Sequence, residues 1–321
     1  MSDDLPRALI VAGPTASGKS ALALEIAERR AGTIINADSM QIYAGLRVLT
    51  ARPTAEEEAR VPHRLYGVRP AAEAASVAWW RDQALAAMTD VHAAGRLPIL
   101  CGGTGLFFHA LTQGLSAIPP VPPAAREDAR RLLAERGAPA LHALLASEDP
   151  ATAATLRPSA RQRIARAYEV WRGTGRGLLS WQKGQGTGPA PWRFAAILLD
   201  PPRDALRAAI TARWHAMMTE GALEEVRALV EAGLDPALPA MRAHGVPELA
   251  ALLAGQMTQA AASERAILNT GQYTKRQATW FRHHELAPTE RTHIIHARYA
   301  GLAQFSESDR VKLISFVDRA C

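Results

Sequence analysis

A run of eight residues near the start of the chain has the composition of a phosphate-binding loop. The run reads Gly13-Pro14-Thr15-Ala16-Ser17-Gly18-Lys19-Ser20 and matches G-x-x-x-x-G-K-[ST] at every fixed position. Its glycines let backbone N–H groups point at a phosphate, and the N-terminus of a following helix adds partial positive charge. Lys19 is expected to reach the terminal phosphates, and the Ser20 hydroxyl is expected to ligate Mg²⁺. We therefore predict that these eight residues bind a di- or triphosphate.

The residues on either side of this loop predict the elements that hold it. An apolar run over 8–12 is typical of a buried strand, and residues 21–27 have the periodicity of a helix. Strand, glycine-rich turn and helix, in this order, are the context that a phosphate loop requires. The loop by itself does not distinguish a nucleotide from another diphosphate, so the rest of the chain has to decide between them.

Two further apolar runs end in polar residues. Asp38 follows the run 33–35, and Thr104 follows the run 97–101 in a second glycine-rich turn. The carboxyl ends of parallel strands border one crevice, so both side chains are expected to face the phosphate loop. A helix N-cap or a turn is the alternative role for Asp38. The run 97–101 ends in Cys101 where a motor-type NTPase would carry an acid, which disfavours that class.

The alternation of strands and helices predicts an α/β fold, with a P-loop NTPase-like parallel sheet flanked by helices. A further buried strand is expected at 193–200, followed by a helical stretch over 206–232 with a break near Gly221. The tail from Thr292 is expected to add one more strand, and a last helix is expected near 310–319.

A proline-rich run over 116–123 and a glycine-rich run over 183–189 bound a segment that lacks strand signals. We predict a core domain made of 1–116 and 190–321, with an all-helical insertion over 117–189.

The insertion is rich in arginine, and Arg161, Arg163 and Arg166 are not balanced by nearby acids. Contact with a phosphodiester backbone and a solvated helix face both remain open for them.

The composition is that of a globular protein of 321 residues, 48% hydrophobic and 21% charged. A net charge of +6 beside a phosphate site favours a polyanionic partner. Two cysteines are too few for a disulfide framework or a zinc site; Cys101 is expected in the core and Cys321 at an exposed terminus. No apolar run approaches the roughly 20 residues of a membrane span, and the first residues do not resemble a signal peptide, so a cytoplasmic location is expected.

Taken in order, these blocks resemble the bacterial tRNA dimethylallyltransferases, also called tRNA isopentenyltransferases, over nearly the whole chain. The blocks that carry the resemblance are the phosphate loop, Asn36-Ala37-Asp38-Ser39-Met40-Gln41-Ile42-Tyr43, Pro62-His63-Arg64-Leu65, Gly102-Gly103-Thr104-Gly105-Leu106, Gln162-Arg163-Ile164-Ala165-Arg166-Ala167, Arg213, Glu225-Val226-Arg227-Ala228-Leu229 and Lys275-Arg276-Gln277-Ala278-Thr279-Trp280.

The resemblance implies a particular reaction. Such enzymes hold dimethylallyl diphosphate in the loop and transfer its five-carbon group to N6 of the adenine immediately 3′ of the anticodon. The acceptors are tRNAs that read codons starting with U. Asp38 matches the family's general base, with Lys19, Arg213 and Thr104 as further catalytic residues. Arg227 is expected to bind the diphosphate together with the loop, and Mg²⁺ is the expected cofactor.

The anticodon stem-loop of tRNA is the implied macromolecular partner, with no membrane and no obligate protein partner. The residues expected to face the tRNA are Asp38, Ser39, Gln41, Thr104, Arg126, Gln162, Arg163, Arg166, Arg242, Lys275, Arg276, Gln277 and Arg282. An adenine in an anticodon stack must be unstacked, at a cost of a few kcal/mol, before an enzyme can reach it.

The chain departs from the family pattern in two places. The loop Arg242-Ala243-His244-Gly245-Val246-Pro247 lacks an aromatic residue and a cation that usually follow its glycine, which predicts weaker or rearranged tRNA contacts. Ser159-Ala160-Arg161 stands before Gln162, where Asn-Asp or Asn-Pro is usual. A small-molecule kinase, a non-catalytic RNA-binding regulator and a prenyltransferase acting on free adenine nucleotides are the alternatives.

Overall fold

The computed structural model describes residues 5–320, so the prediction for Cys321 lies outside the described residues. In this range six strands form one sheet, in the order β3-β2-β4-β1-β5-β6, and every neighbouring pair is parallel. The predicted α/β class is confirmed. The strands are β1 Arg7–Ala12, β2 Gly32–Asn36, β3 His63–Arg64, β4 Leu97–Gly102, β5 Arg193–Leu199 and β6 Thr292–Ile295.

Helices connect the strands along the chain. They are α1 Lys19–Arg29, α2 Ala55–Arg60, α3 Val77–Ala93, α4 Gly105–Thr112, α5 Pro123–Glu148, α6 Pro150–Ala153, α7 Arg161–Thr174, α8 Leu178–Gln182, α9 Arg203–Thr219, α10 Ala222–Glu231, α11 Val246–Leu253, α12 Gln259–His283 and α13 Glu307–Ala320. The predicted break near Gly221 is the boundary between α9 and α10, where Gly221 adopts a φ of 104°. The two-residue strand β3 is too short to show a period, and the sequence does not predict it.

Each face of the sheet has its own hydrophobic cluster because strand side chains alternate between faces. In β1, Ile10 belongs to one cluster with Trp80 of α3, while Leu9 belongs to the other with Leu22 of α1. Strands buried on both faces are typical of parallel sheets, which explains why β1, β4 and β5 are nearly continuous apolar runs.

The chain divides into two compact units. One contains the sheet and comprises residues up to Thr112 and from Ala190 onward; the other is Gln113–Pro189. In the second unit α5 packs against α7 through a core that includes Leu141, Ile164 and Tyr168. Helix α5 is interrupted at Gly137, which has a φ of 77°.

The second unit contains helices α5–α8 and, within its described residues, no strand beyond an isolated bridge from Ser116 to Gly186. None of the helices in the described part of the chain is both long and apolar enough to span a bilayer.

Candidate active site

The phosphate loop joins β1 to α1 in a conformation that its residue types permit. Gly18 has a φ of 90°, and a Cβ on Gly13 would lie 2.8 Å from Ser17 Oγ. Helix α1 begins at Lys19, within the last residues of the loop, and among the described residues no side chain caps its first turn. Its N-terminal N–H groups are therefore open to an anion, as a phosphate site requires.

A cavity of about 830 Å³ lies over this loop. Lys19 and Ser20 line it from α1, Asp38 from the end of β2, and Arg213 from α9. Tyr273 of α12 lines it as well. The cavity thus brings together a phosphate loop, a carboxylate and further cations from elements far apart in the chain.

Burial governs the electrostatics of the cavity cations. It lowers the pKa of Lys19, while the charge of Asp38 raises it again. It also lowers the pKa of Arg213; Asp38 opposes this shift and the charge of Arg298 adds to it. The site therefore holds positive charge that is partly removed from water, and an anion entering the cavity would be bound strongly.

Asp38 is held by a turn at the end of β2. Its N–H donates to Asn36 Oδ1 at 2.8 Å, and Asn36 Nδ2 donates to the Asp38 carbonyl at 3.0 Å. The carboxylate Oδ1 accepts the N–H of Met40 at 2.9 Å. Asp38 therefore both forms a turn and lines the cavity. The turn role, given above as the alternative, does not keep its side chain out of the cavity.

The strand-end turn after β4 lies beside this turn. The Thr104 hydroxyl accepts the N–H of Ser39 at 2.9 Å and donates to Ser39 Oγ at 3.3 Å. The Thr104 side chain thereby joins the turn after β4 to the backbone of the turn after β2, next to Asp38. Asp38, Ser39 and Thr104 are thus close together, as parallel strand ends should be.

Tyr273 is a cavity residue that sequence reasoning missed. Burial raises its pKa to about 12, with the charge of Asp38 acting in the same direction, while hydrogen bonds with Thr104 and Gln277 lower it. The phenol therefore stays neutral at physiological pH and can donate a hydrogen bond beside Asp38. Its ring also lies 4.7 Å from the ring of His244 and 5.6 Å from the guanidinium of Arg276.

Gln277 was expected to face tRNA, which stays a prediction, and the structure shows its protein partners. Its side chain is buried, with Oε1 accepting the Thr15 N–H at 2.9 Å and the Thr15 hydroxyl at 3.0 Å. Its Nε2 donates to the Gly103 carbonyl at 2.9 Å. A Cβ on Gly103 would lie 2.3 Å from that nitrogen. Gln277 therefore ties the phosphate loop to the turn after β4, and the glycine at 103 is needed for its close approach.

The cavity wall over 47–54 is fixed by two side chains. Glu225 of α10 accepts the backbone N–H groups of Arg47 and Val48 at 2.7 Å and of Leu49 at 3.0 Å. Gln41, also expected at the tRNA, donates Nε2 to the carbonyls at positions 50 and 51, at 2.9 and 2.8 Å. The amide nitrogen of Gln41 thus holds the wall of the cavity. Glu225 belongs to a block that carries the family resemblance, but the sequence did not predict its positioning role.

Arg227 was expected to bind the diphosphate. It lies on the exposed side of α10 and is not among the described residues that line the cavity. Helix α10 directs Glu225 toward the loop 47–49, and Arg227, two positions later, points away because side chains two apart on a helix do not share a face. The structure does not bring Arg227 to the phosphate loop.

The remaining residues expected at tRNA are exposed, and some have partners. Arg166 pairs with Glu169, so the expectation that this arginine is unbalanced is wrong. Arg282 forms a two-pronged ion pair with Asp200, at 2.8 and 3.2 Å. The exposed members of the set are Arg126, Gln162, Arg163, Arg166, Arg242, Lys275, Arg276 and Arg282.

Residues of the loop 242–247, which departs from the family pattern, have structural roles. Val246 is fully buried in the first turn of α11, and Glu248 accepts the Gly245 N–H at 3.2 Å. Gly245 adopts a φ of 96°, which favours glycine. The consequence for tRNA contacts remains a prediction.

The hard oxygen donors of the cavity fit Mg²⁺. The described residues contain no cluster of three His, Cys, Asp or Glu side chains that could cage a metal. Mg²⁺ is commonly held by one or two protein oxygens with substrate phosphates and water, and Ser20 lines the cavity beside the phosphate loop. Burial raises the pKa of Cys101 to about 11, against a hydrogen bond with Ser20, so its thiol remains protonated and is a poor ligand.

Comparison with known proteins gives a consistent result. The sequence model described as IPP transferase matches residues 41–284. The tRNA dimethylallyltransferase of Granulibacter bethesdensis is 60% identical over 312 residues, covering 97% of this chain and 98% of the relative. That of Acidiphilium cryptum is 57% identical over 310 residues, covering 97% of this chain and 94% of the relative.

Solved structures are similar along almost the full length. The tRNA isopentenylpyrophosphate transferase from Bacillus halodurans has a TM-score of 0.68 at 30% identity, covering 98% of this chain and 97% of that one. A eukaryotic dimethylallyltransferase acting on tRNA has a TM-score of 0.78 at 23% identity, covering 97% of this chain and 78% of that one, which is a likeness of fold.

Proposed function

This chain belongs to the IPP transferase family, and from that premise we propose that it is a tRNA dimethylallyltransferase. It transfers the dimethylallyl group of dimethylallyl diphosphate to N6 of the adenine immediately 3′ of the anticodon, in tRNAs that read codons starting with U. The observation that carries the proposal is the single cavity that holds Lys19 and Ser20 of the phosphate loop together with Asp38.

The cations of the cavity are suited to a diphosphate leaving group. As the bond between the allylic carbon and the bridging oxygen breaks, its electron pair passes to the diphosphate and negative charge grows there. Lys19, the loop N–H groups and Arg213 stabilise that charge from fixed positions in a partly desolvated site. Donors that are already oriented need no reorganisation during the reaction, which is why such groups contribute strongly to catalysis.

Asp38 accepts the proton that the adenine amine must lose. The N6 lone pair is delocalised into the ring, so the amine is a weak nucleophile until its proton is shared with a base. As the bond between N6 and the allylic carbon forms, the proton passes to the Asp38 carboxylate, whose Oδ1 is fixed by Met40. Thr104 and the neutral Tyr273 lie beside it and orient the extruded base.

Mg²⁺, held by Ser20 and the diphosphate oxygens, would supply further charge neutralisation to the leaving group.

Because the proposed substrate is tRNA, we expect the reaction to take place in the cytoplasm. The helical insertion and the exposed basic residues of α12 would contact the RNA backbone and offset the cost of unstacking the adenine.

The transfer reaction is directly testable. Purified protein, Mg²⁺, dimethylallyl diphosphate and unmodified tRNA should give N6-isopentenyladenosine beside the anticodon, detected by mass analysis of digested nucleosides. Adenosine monophosphate as acceptor and ATP as donor are the controls for the free-nucleotide and kinase alternatives. Prenyl transfer to adenosine monophosphate in place of tRNA, phosphoryl transfer from ATP, or no prenylated tRNA with both substrates present would contradict the proposal.

A further inference from the structure

After β6, residues 298–299 contact the phosphate loop, although they lie outside the loop motif. The Tyr299 N–H donates to the Ser17 carbonyl at 2.8 Å, and Arg298 Nε donates to the Ala16 carbonyl at 3.0 Å. A Cβ on Gly18 would lie 2.0 Å from the Tyr299 carbonyl oxygen, so the two segments are in close contact. Residues 298–299 therefore hold the outer side of the loop.

Arg298 also lines the cavity that contains Lys19 and Arg213. A guanidinium has five N–H donors, and the contact with Ala16 uses the one on Nε. The two terminal nitrogens carry the other four in a planar fork suited to phosphate oxygens. Asp200, which contacts the same segment through His296, forms its ion pair with Arg282.

The positive charge of Arg298 acts inside the cavity, because it lowers the pKa of the half-buried Arg213 guanidinium. Arg298 itself is exposed, and two like charges that repel each other are stabilised when an anion binds to both. With Lys19 they form a group of three cations around the phosphate loop, contributed by α1, α9 and the segment after β6.

We propose that Arg298 is a diphosphate-binding residue, which holds the phosphate loop through Nε and binds the diphosphate of the allylic substrate through its terminal nitrogens. The inference rests on the proposed function, because it needs a diphosphate at the loop. It adds a ligand from outside residues 41–284, the part of the chain that the family model matches.

Two substitutions separate the two uses of this side chain. Glutamine places its Nε2 where arginine has Nε, so Arg298→Gln keeps a donor for the Ala16 carbonyl and removes the positive charge. Arg298→Lys keeps the charge and removes the donor at that position. Arg310→Gln, on the exposed part of α13, is the control for loss of one positive charge.

The measurement is calorimetric binding of inorganic pyrophosphate with Mg²⁺ to each full-length protein, with a thermal melt of each unliganded protein. We expect Arg298→Gln to bind about tenfold or more weakly at an unchanged melting temperature, since a charge-assisted contact is lost. Arg298→Lys should bind better than Arg298→Gln, and Arg310→Gln should match the wild type.

The outcomes distinguish this inference from the function on which it rests. Wild-type affinity in Arg298→Gln would overturn the role of Arg298 and leave the transferase proposal standing. Weak binding in Arg298→Lys with normal binding in Arg298→Gln would show that only the loop contact matters, and would also overturn it. A wild-type protein that neither binds pyrophosphate nor transfers the prenyl group would overturn both.

Discussion

The cations of the cavity and those of the helical insertion are similar side chains in opposite environments. Lys19 and Arg213 lie in a partly desolvated cavity, where burial lowers their pKa values. On α7, Arg163 is exposed and Arg166 pairs with Glu169 at the surface of the second unit. Exposed charges are screened by water and salt, so each contributes little alone. The same chemistry is thus suited to strong, localised anion binding in one unit and to a weak, additive attraction for a polyanion in the other.

The largest difference between the two environments should appear at Lys19. Lys19→Met is expected to lower kcat/KM for dimethylallyl diphosphate by about 10²- to 10³-fold, because a fixed charge opposite the leaving group is lost. The unliganded variant should also melt at a higher temperature. Because burial lowers the pKa of Lys19, its charge destabilises the folded state. Removing the ammonium group removes that destabilisation.

Steady-state kinetics and a thermal melt measure both effects, with Lys312→Met on α13 as the control. Lys312 is exposed and contacts Asp309, so its loss should change neither quantity appreciably. A Lys19→Met variant with lower stability and unchanged kinetics would remove the contrast between cavity and surface charges.

The two sides of helix α12 give a second contrast, of smaller size. Gln277→Leu should lower the unfolding free energy by about 2 kcal/mol, because the Thr15 N–H and the Gly103 carbonyl lose a buried partner. It should also raise KM for dimethylallyl diphosphate by about tenfold, as the phosphate loop is displaced. Gln272→Leu, on the exposed side of the same helix, should do neither. Denaturant titration measures the unfolding free energy, and steady-state kinetics measure KM. Equal effects of the two substitutions would show that Gln277 has no special role.

The pH dependence of pyrophosphate binding should also report the titration of Lys19. Burial lowers its pKa from the ordinary value, and the bound anion requires the protonated form. Affinity should therefore fall by several-fold as the pH rises through that lowered pKa. In Lys19→Arg the guanidinium stays charged, so the fall should move to higher pH. Calorimetry on both proteins at each pH cancels the titration of the ligand itself, and identical profiles would exclude Lys19 as the titrating group.

Single arginines of the insertion should have the smallest effects. Arg163→Gln is expected to weaken tRNA binding about two- to threefold, and to reduce the slope of log affinity against log salt by about one. Filter binding over a range of salt concentrations measures both, with Arg131→Gln as a control because Arg131 already pairs with Asp128 and Glu135. An unchanged salt slope would mean that this face of α7 is merely solvated.

The sequence predicted the parts of the site that local pattern determines. The phosphate loop, Asp38 and Thr104 each follow an apolar strand, and the parallel fold brings the ends of neighbouring strands together. The Arg166 pair with Glu169 spans three residues on one helix, so sequence spacing contained that signal too.

The contacts that support these residues could not be predicted in the same way. Gln277 contacts Thr15 across 262 positions, Glu225 contacts Arg47 across 178, and Arg298 contacts Ala16 across 282. Such pairings depend on how α10, α12 and the segment after β6 dock onto the sheet. No local period encodes that docking, which is why the sequence did not predict these contacts of Gln277, Glu225 and Arg298.

In the proposed reaction, Asp38 removes the adenine proton in the same cavity where the diphosphate departs. Asp38→Asn keeps an oxygen to accept the Met40 N–H, so the turn is preserved while the base is lost. The decisive measurement is the single-turnover rate of prenyl transfer in Asp38→Asn, with tRNA and dimethylallyl diphosphate both saturating. We expect this rate to fall about 10²- to 10⁴-fold at unchanged affinity for both substrates. A single-turnover rate equal to that of the wild type would contradict it.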